Sequence, residues 1–231
     1  MHQMQAQRPL ALEEQRYLYV ILSSTKTKIG YLIKKLSKTI YSHTSLSLDR
    51  EMREMYSFAR YYKSTPFYGG FIRETPARFS LGKPEPIYIK VFRLPVPRDQ
   101  YESIQRRLHE MGEEPYLYNL FSAIFQSMGK GFDTEKAYTC SEFVARMLRE
   151  ENLAQIPMEE ARCLPRDFET ILAEYLYYEG DLWEYLGHVP ENDDEFMTKL
   201  GYWRATKATL QLMGALIRRK ASAHRQSRWT L

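Results

Sequence analysis

The chain has 231 residues, of which 44% are hydrophobic and 27% are charged, and its formal net charge is +4. That length and apolar content are enough for one domain with a buried core, and the small net charge excludes the broad basic field of a nucleic-acid-binding protein outside the C-terminal segment. Its two cysteines exclude a disulfide framework, and without a CxxC, HExxH or GxxxxGKS/T motif nothing points to a zinc, metalloprotease or P-loop site.

The first forty residues contain no signal-peptide pattern, because Lys, Arg and Glu interrupt every apolar run. Later segments also fall short of the roughly 18 consecutive apolar residues that a membrane span needs. The expected location is therefore the cytoplasm, where both cysteines would be reduced thiols.

The first third of the chain predicts a strand, a helix and a hairpin. Residues 1–16 are polar and predict a loose N-terminus. A buried strand is predicted for 16–24 (RYLYVILSS), and the period changes to that of a helix at 27–40 (TKIGYLIKKLSKTI). Two further strand-like runs, 42–49 (SHTSLSLD) and 54–62 (EMYSFARYY), are joined by a short polar turn and therefore predict a hairpin.

The middle of the chain alternates between strand and helix signals. The Gly-punctuated segment 66–74 (PFYGGFIRE) predicts a loop. Residues 86–96 (PIYIKVFRLPV) alternate as a strand does, and 98–112 (RDQYESIQRRLHEMG) predict a helix that Gly112 ends. A second, more buried helix is predicted for 116–129.

The last third begins with another helix, in residues 164–186, which starts at Pro165 and ends as a strand near Tyr177. The composition then turns acidic and finally basic, and the basic part predicts a helical tail. This order of elements predicts an α+β fold in which an antiparallel sheet packs against helices. The predicted division of the chain is a flexible N-terminus (1–16), a core domain (17–189) and a basic helical extension (190–231).

The most informative short stretch is YTCSEFVARML, residues 138–148. Thr139 and Glu142 have the spacing of a capping box, which places Cys140 at the first position of a helix. Unpaired N–H groups and the positive end of the helix dipole favour a thiolate there. Four apolar residues fall on one face of the same helix and predict that it is held in the core: Phe143, Val144, Met147 and Leu148.

A thiolate nucleophile needs a general base and a third group that orients the base. Of the five histidines, only His43 lies on a predicted strand inside the core, on a face that it shares with Ser45 and Ser47. The next strand carries the candidates for the third group: Ser57, Glu54 and Arg60.

Each of these residues also has a structural interpretation. A free cysteine in a helix is commonly a small, buried and inert side chain, and a single histidine on a strand is commonly structural. Cys163 has no capping context and is assigned to the structure. The basic tail is interpreted as a solvated helix or a face for a protein partner, although its apolar residues opposite Lys and Arg would also suit peripheral contact with an anionic membrane.

Four stretches taken together carry a resemblance to a known family: YVILSSTKTKIGYLIKKLSKTIYSHTSLSLD, EMYSFARYY, FYGGFIRE and YTCSEFVARML. In this order they resemble the YiiX/YebB-like branch of the NlpC-type papain-fold cysteine hydrolases, over roughly residues 17 to 186. In that branch the papain-like core is circularly permuted, so the His strand precedes the Cys helix. His43 and Cys140 match those two positions, and Ser57 or Glu54 would supply the third polar residue on the strand after the histidine.

The resemblance implies a cysteine amidase or peptidase that acts on small peptides or amino-acid conjugates and needs no cofactor or metal. His43 would be the base, Cys140 the nucleophile, and N–H groups near Cys140 the donors to the oxyanion. The candidate substrate-binding residues are Tyr116, Tyr118, Tyr138 and Ser141. Two alternatives stay open: a lipid acyl-thioesterase or acyltransferase that uses the same Cys-His pair, and a binding module that keeps the fold without turnover.

Overall fold

The computed structural model describes residues 15–25, 39–65, 68–81, 85–126, 132–189 and 193–228. These ranges contain the strands β1 Gln15–Ser23, β2 His43–Ser47, β3 Met55–Arg60, β4 Gly69–Glu74, β5 Tyr88–Pro97, β6 Leu117–Tyr118, β7 Ala137–Tyr138 and β8 Leu176–Asp181. The helices are α1 Ala77–Ser80, α2 Arg98–Glu113, α3 Leu120–Phe125, α4 Cys140–Glu150, α5 Asp167–Ile171, α6 Leu182–Leu186, α7 Asp194–Met197 and α8 Tyr202–Arg228. Single 3-10 turns lie at Glu160–Arg162 and Ala173–Tyr175.

Six of the strands form one sheet in the order β4-β3-β2-β1-β5-β8, and every neighbouring pair is antiparallel. The two-residue strands β6 and β7 form a separate parallel pair that leads into α4. The predicted α+β class, with an antiparallel sheet and helices packed on it, is confirmed.

The central strand β1 shows why the sheet is buried on both sides. Its side chains alternate between two cores, as the two-residue period of a strand requires. Leu18, Val20 and Leu22 lie in the core that α2 and α4 cover, whereas Tyr19 and Ile21 lie in a second core on the other face. Each fully buried aliphatic side chain contributes roughly 1.5–3 kcal/mol, so this strand needs an unbroken apolar run.

The segment 66–74 was predicted to be a loop, and this prediction is wrong, because the edge strand β4 occupies most of it. Its glycines allow close approach of neighbouring groups. A Cβ atom on Gly69 would come within 2.2 Å of the carbonyl oxygen of Ala59, and one on Gly70 within 2.2 Å of the Tyr61 hydroxyl. The two glycines therefore reflect tight packing against β3 and the residue that follows it, and not a turn.

The two helices predicted for the middle segment have different ends in the structure from those predicted. Helix α2 continues through Gly112 to Glu113, because the C-cap forms only at Glu114. The helix predicted for 116–129 is instead the short strand β6 followed by α3, which Asn119 caps by accepting a hydrogen bond from the next turn. The cap at Asn119 therefore starts this helix at Leu120 and not at Tyr116, and residues 127–129 of the predicted helix lie outside the described residues.

Two predictions for the N-terminal part, the loose segment 1–16 and the helix 27–40, fall almost entirely outside the described residues. The hairpin of β2 and β3 is confirmed, with Leu46 opposite Tyr56. The strand predicted near Tyr177 is confirmed as β8, at the edge of the sheet.

The basic C-terminal segment forms the predicted helix, α8. It packs on the rest of the chain through Leu212 and Leu216, which meet Ala137 in β7. This contact lies directly before the start of α4, so α8 supports the chain that leads to Cys140. Among the described residues, no helix is both long enough and apolar enough to cross a membrane.

Candidate active site

The site begins at the first turn of α4. Thr139 caps the helix by accepting a hydrogen bond from the N–H of Glu142 at 3.1 Å, and the Glu142 carboxylate accepts one from the N–H of Thr139 at 3.4 Å. The predicted capping box is therefore confirmed. Cys140 is the first residue of the helix, so its N–H has no acceptor within the helix, and the residue is only 6% exposed.

The start of α4 is tied to neighbouring segments by buried hydrogen bonds. Gln126 donates to the Thr139 hydroxyl at 3.0 Å and to the carbonyl oxygen of Ala161 at 2.9 Å. The Ser141 hydroxyl donates to the carbonyl oxygen of Cys163. Ser141 was predicted to bind substrate, but its hydroxyl is buried and held by the main chain. These bonds fix the position of the Cys140 sulfur.

The imidazole of His43 lies next to that sulfur at the start of β2. Its Nε2 atom is 2.8 Å from a carboxylate oxygen of Glu74 and 3.2 Å from the Ser57 hydroxyl, and the ring packs edge-to-face on Phe79. Cys140 also raises the pKa of His43, so its sulfur lies close to the imidazole. Because Nε2 is engaged by Glu74 and Ser57, Nδ1 is the ring nitrogen left for the sulfur.

The partner of His43 is Glu74, at the end of the edge strand β4. The same carboxylate oxygen also accepts a hydrogen bond from Ser45 at 2.8 Å, which confirms that Ser45 shares a face with His43. Glu74 reaches across the intervening strand β3, where Ser57 is small enough to leave room. Both members of the pair are buried, with Glu74 4% exposed and His43 8% exposed.

For both His43 and Glu74, burial shifts the pKa in one direction and pairing shifts it in the other. Burial lowers the pKa of His43, but the Glu74 carboxylate and Cys140 outweigh it and raise this pKa to about 10. Burial raises the pKa of Glu74, but the charges of His43 and Arg78 outweigh it and hold this pKa below its usual range. The buried pair is therefore an imidazolium and a carboxylate across the neutral pH range.

Glu74 was missed by sequence reasoning, which sought the third group only on β3. Ser57 is in contact with His43 as expected, and its hydroxyl also donates to the carbonyl oxygen of Thr44. Glu54 lies at the hairpin turn, where its carbonyl oxygen accepts a hydrogen bond from Leu48, at the opposite end of β2 from His43. The sequence did contain a signal for Glu74, because side chains in GGFIRE alternate as they do in a strand. The assignment of this segment to a loop hid that signal.

Tyr118 is the predicted substrate-binding residue that lies closest to the chemistry. Burial raises the pKa of its phenol, Cys140 raises it further, and Arg60 lowers it in part. The net shift is upward, so the phenol stays protonated. Among the described residues its hydroxyl has no hydrogen-bond partner, which leaves it able to donate to a group bound at the sulfur.

The other two predicted tyrosines form an aromatic cluster. The rings of Tyr116 and Tyr138 lie 5.9 Å and 5.4 Å from the ring of Phe58, and the Arg146 guanidinium stacks 4.7 Å from the Tyr138 ring centre. These contacts stabilise the packing of β3 against the segment before α4. Tyr116 and Tyr138 therefore support the site through packing.

The second cysteine differs from Cys140 in its surroundings. Cys163 is fully buried in the main core, and burial raises the pKa of its thiol well above the usual range. Such a thiol stays protonated and unreactive. In the described part of the chain, no three His, Cys, Asp or Glu side chains come together as metal ligands would.

Comparison with known proteins adds no assignment. No family model, curated protein or solved structure matches this chain. The resemblance described above is therefore a prediction, and the functional argument rests on the geometry of the described residues.

Proposed function

We propose that this protein is a thiol hydrolase that cleaves an amide bond through an acyl-enzyme on Cys140. The observation that carries the proposal is the chain of three groups, a cysteine at a capped helix start, His43 beside it, and the buried Glu74 on the far side of the imidazole. A nucleophile, a base and a group that orients the base are the parts that this chemistry needs. The circularly permuted papain-like fold of the YiiX/YebB-like branch belongs to the same proposal.

In the first half of the reaction, the Cys140 thiolate attacks the carbonyl carbon and forms a C–S bond. The negative charge moves to the carbonyl oxygen, where the Cys140 N–H and the Tyr118 hydroxyl donate hydrogen bonds. The imidazolium of His43 gives its proton to the amide nitrogen as the C–N bond breaks, and the amine leaves.

In the second half, neutral His43 takes a proton from water, and the resulting hydroxide attacks the thioester carbon. The C–S bond breaks, the acid product leaves, and the enzyme returns to thiolate and imidazolium. Glu74 stabilises the imidazolium at both stages and holds the ring in one orientation, with Ser45 and Ser57 fixing the carboxylate and the ring.

The proposed substrates are small peptides or amino-acid conjugates. A second candidate, an acyl-thioesterase or acyltransferase with the same Cys-His pair, is favoured by one observation. An apolar cavity of about 540 Å³ opens between α3 and α8, with Asn119, the neighbour of Tyr118, at its wall. Its apolar lining includes Phe121, Phe125, Phe132 and Leu216, and Lys220 lies at the same cavity.

The test compares dipeptide amides with long-chain acyl-thioesters as substrates of the purified full-length protein. An amidase should release the amine from the dipeptide amides and show little turnover of the thioesters. The reverse preference would favour the second candidate. If iodoacetamide modifies Cys140 no faster than a free thiol at neutral pH, the protein is a binding module and both hydrolase assignments are wrong.

The same protein should become acylated at Cys140 when it is exposed to a reactive acyl probe, as measured by intact mass and peptide mapping. Labelling should fall sharply in His43→Ala. Labelling that is unchanged in His43→Ala would remove His43 from its role as base, and labelling at Cys163 would move the site.

A further inference from the structure

The C-terminal helix α8 has a second apolar surface, which faces outward at Trp203 and Leu210 and borders the apolar cavity between α3 and α8 at Ile217. Trp203, Leu210 and Ile217 are 82%, 63% and 58% exposed. Their spacing of seven residues, or two turns, aligns them along one side of the helix over a length of about 20 Å. We call these three residues the exposed stripe. The buried Leu212 and Leu216 lie on the opposite side and hold the helix on the protein.

The sequence around the stripe is strongly cationic. After Glu195 the chain contains no Asp or Glu. The same segment contains eight cationic residues: Lys199, Arg204, Lys207, Arg218, Arg219, Lys220, Arg225 and Arg228. Arg204 and Lys207 are exposed and lie beside the stripe on the helical wheel, so apolar and cationic side chains form two adjacent rows on the outer surface.

Contacts on the inner side hold α8 in this orientation. The Arg219 guanidinium donates to the carbonyl oxygens of Pro115, at 2.9 Å, and Lys136, at 2.7 Å. The Lys220 ammonium lies 3.8 Å from the ring centre of Phe132. Turning the helix to bury the stripe would break these contacts and expose the buried leucines. Within the described part of the chain these contacts leave the stripe uncovered, so a binding partner outside this chain can reach it.

Charge decides which partner fits. A second copy of this helix would place one row of cations against another, and that repulsion disfavours a symmetric dimer through this face. An anionic lipid surface satisfies both rows, because the apolar side chains enter the boundary between headgroups and acyl chains while Lys and Arg contact the anionic headgroups. Trp203 is also of the residue type that prefers this boundary.

We propose that α8 docks this protein on anionic membrane surfaces, with the exposed stripe inserted into the interface and the helix parallel to the bilayer. The helix lies on the surface and does not span the membrane, in keeping with its cationic composition. The inference concerns binding alone and does not depend on the proposed hydrolase activity.

The experiment is sedimentation of the full-length protein with vesicles of phosphatidylcholine, with and without phosphatidylserine. We expect binding to the anionic vesicles, about tenfold or more weaker binding to the neutral ones, and weakening by high salt. The double variant Trp203→Ser with Leu210→Ser should lose binding to anionic vesicles by about tenfold or more, because each side chain loses its apolar contact with the interface.

Matched variants separate the stripe from general effects. Leu176→Ser changes an exposed leucine on β8, and Arg106→Gln changes an exposed cation on α2; both should bind anionic vesicles as the native protein does. Arg204→Gln with Lys207→Gln should weaken binding and reduce its salt dependence. All these positions are exposed, so unchanged thermal unfolding is expected and would show that the variants are folded.

Three results would overturn the proposal. The first is equal binding to neutral and anionic vesicles. The second is binding that the stripe variants leave unchanged. The third is a native protein that binds neither type of vesicle and forms a dimer in solution, which Leu210→Ser dissociates. That result would assign the stripe to contact with a second copy of the chain.

Discussion

The candidate active site and the helix α8 organise charge in opposite ways. In the site, His43 and Glu74 are nearly inaccessible and are paired at 2.8 Å, so their charges satisfy each other inside the protein. In α8, cations collect at the surface of a segment that contains no acid. A buried pair fixes a proton and a ring orientation for chemistry, whereas a surface rich in cations attracts anionic partners.

The largest expected effect on activity comes from removing the nucleophile of the candidate active site. Cys140→Ala should lower kcat/KM for the amide substrate at least about 10³-fold, because the covalent step is lost. Cys163→Ala is the control: it should lower the free energy of unfolding by about 1–2 kcal/mol and leave kcat/KM nearly unchanged, since Cys163 only fills the core. Activity that survives in Cys140→Ala would contradict the assignment.

A second test breaks the buried pair itself. In Glu74→Gln the carboxylate that raises the pKa of His43 is lost, so the imidazolium should deprotonate at lower pH than in the native protein, where its pKa is about 10. We expect a loss of about 10²-fold in kcat, and an alkaline limit of the rate that moves to lower pH. The measurements are the pH profiles of turnover and of Cys140 alkylation.

The pair should also affect stability with a defined sign. Because the pKa of His43 is raised on folding, the contribution of the pair to the free energy of unfolding is fully present below the usual pKa of histidine, near 6.5, and is lost as pH rises through about 10.

The control for the activity profile is Glu74→Asp, which keeps the charge and should restore much of the native pH profile of turnover. A profile that is the same in Glu74→Gln and the native protein would show that Glu74 has no positioning role.

Tyr118→Phe tests the oxyanion donor with a smaller expected effect. Loss of one donor to the developing charge should lower kcat by about 10- to 100-fold with little change in KM. Tyr116→Phe is the matched control, because Tyr116 lies in the aromatic cluster with Phe58 and should leave kcat nearly unchanged. Equal losses in the two variants would indicate that Tyr118 acts through packing.

The smallest effect is expected at Glu142, the buried acid of the capping box. Burial raises its pKa to about 7 although Arg146 opposes this shift, so the folded protein binds this proton more tightly than the unfolded chain does. Stability should therefore fall as pH rises from about 4.5 to about 7, by on the order of 3 kcal/mol.

Urea unfolding at pH 5 and pH 8 measures that slope. Glu142→Gln retains the capping-box geometry and should remove the pH-dependent term. Glu150→Gln, at a partly exposed position of the same helix, should leave it in place. A slope that is the same in the native protein and Glu142→Gln would assign the pH dependence to other groups.

Local patterns predicted much of this fold correctly. The capping box at Thr139 and Glu142, the buried strand β1 and the face that His43 shares with Ser45 depend on spacings of two to four residues, which the sequence displays directly. Such spacings fix which side of an element a residue occupies, because the periods of strands and helices are constant. The fixed cysteine and the core histidine were therefore visible in the sequence.

Other features were decided only by tertiary structure. Glu74 meets His43 across an intervening strand and 31 positions along the chain, and no local spacing encodes that contact. The two glycines of β4 mimic a loop in the sequence, yet they are required by the close approach of Ala59 and Tyr61. Residue identity and local period determined what each element can contribute, whereas the order of strands in the sheet determined which side chains meet, because a long-range contact depends on how whole elements pack.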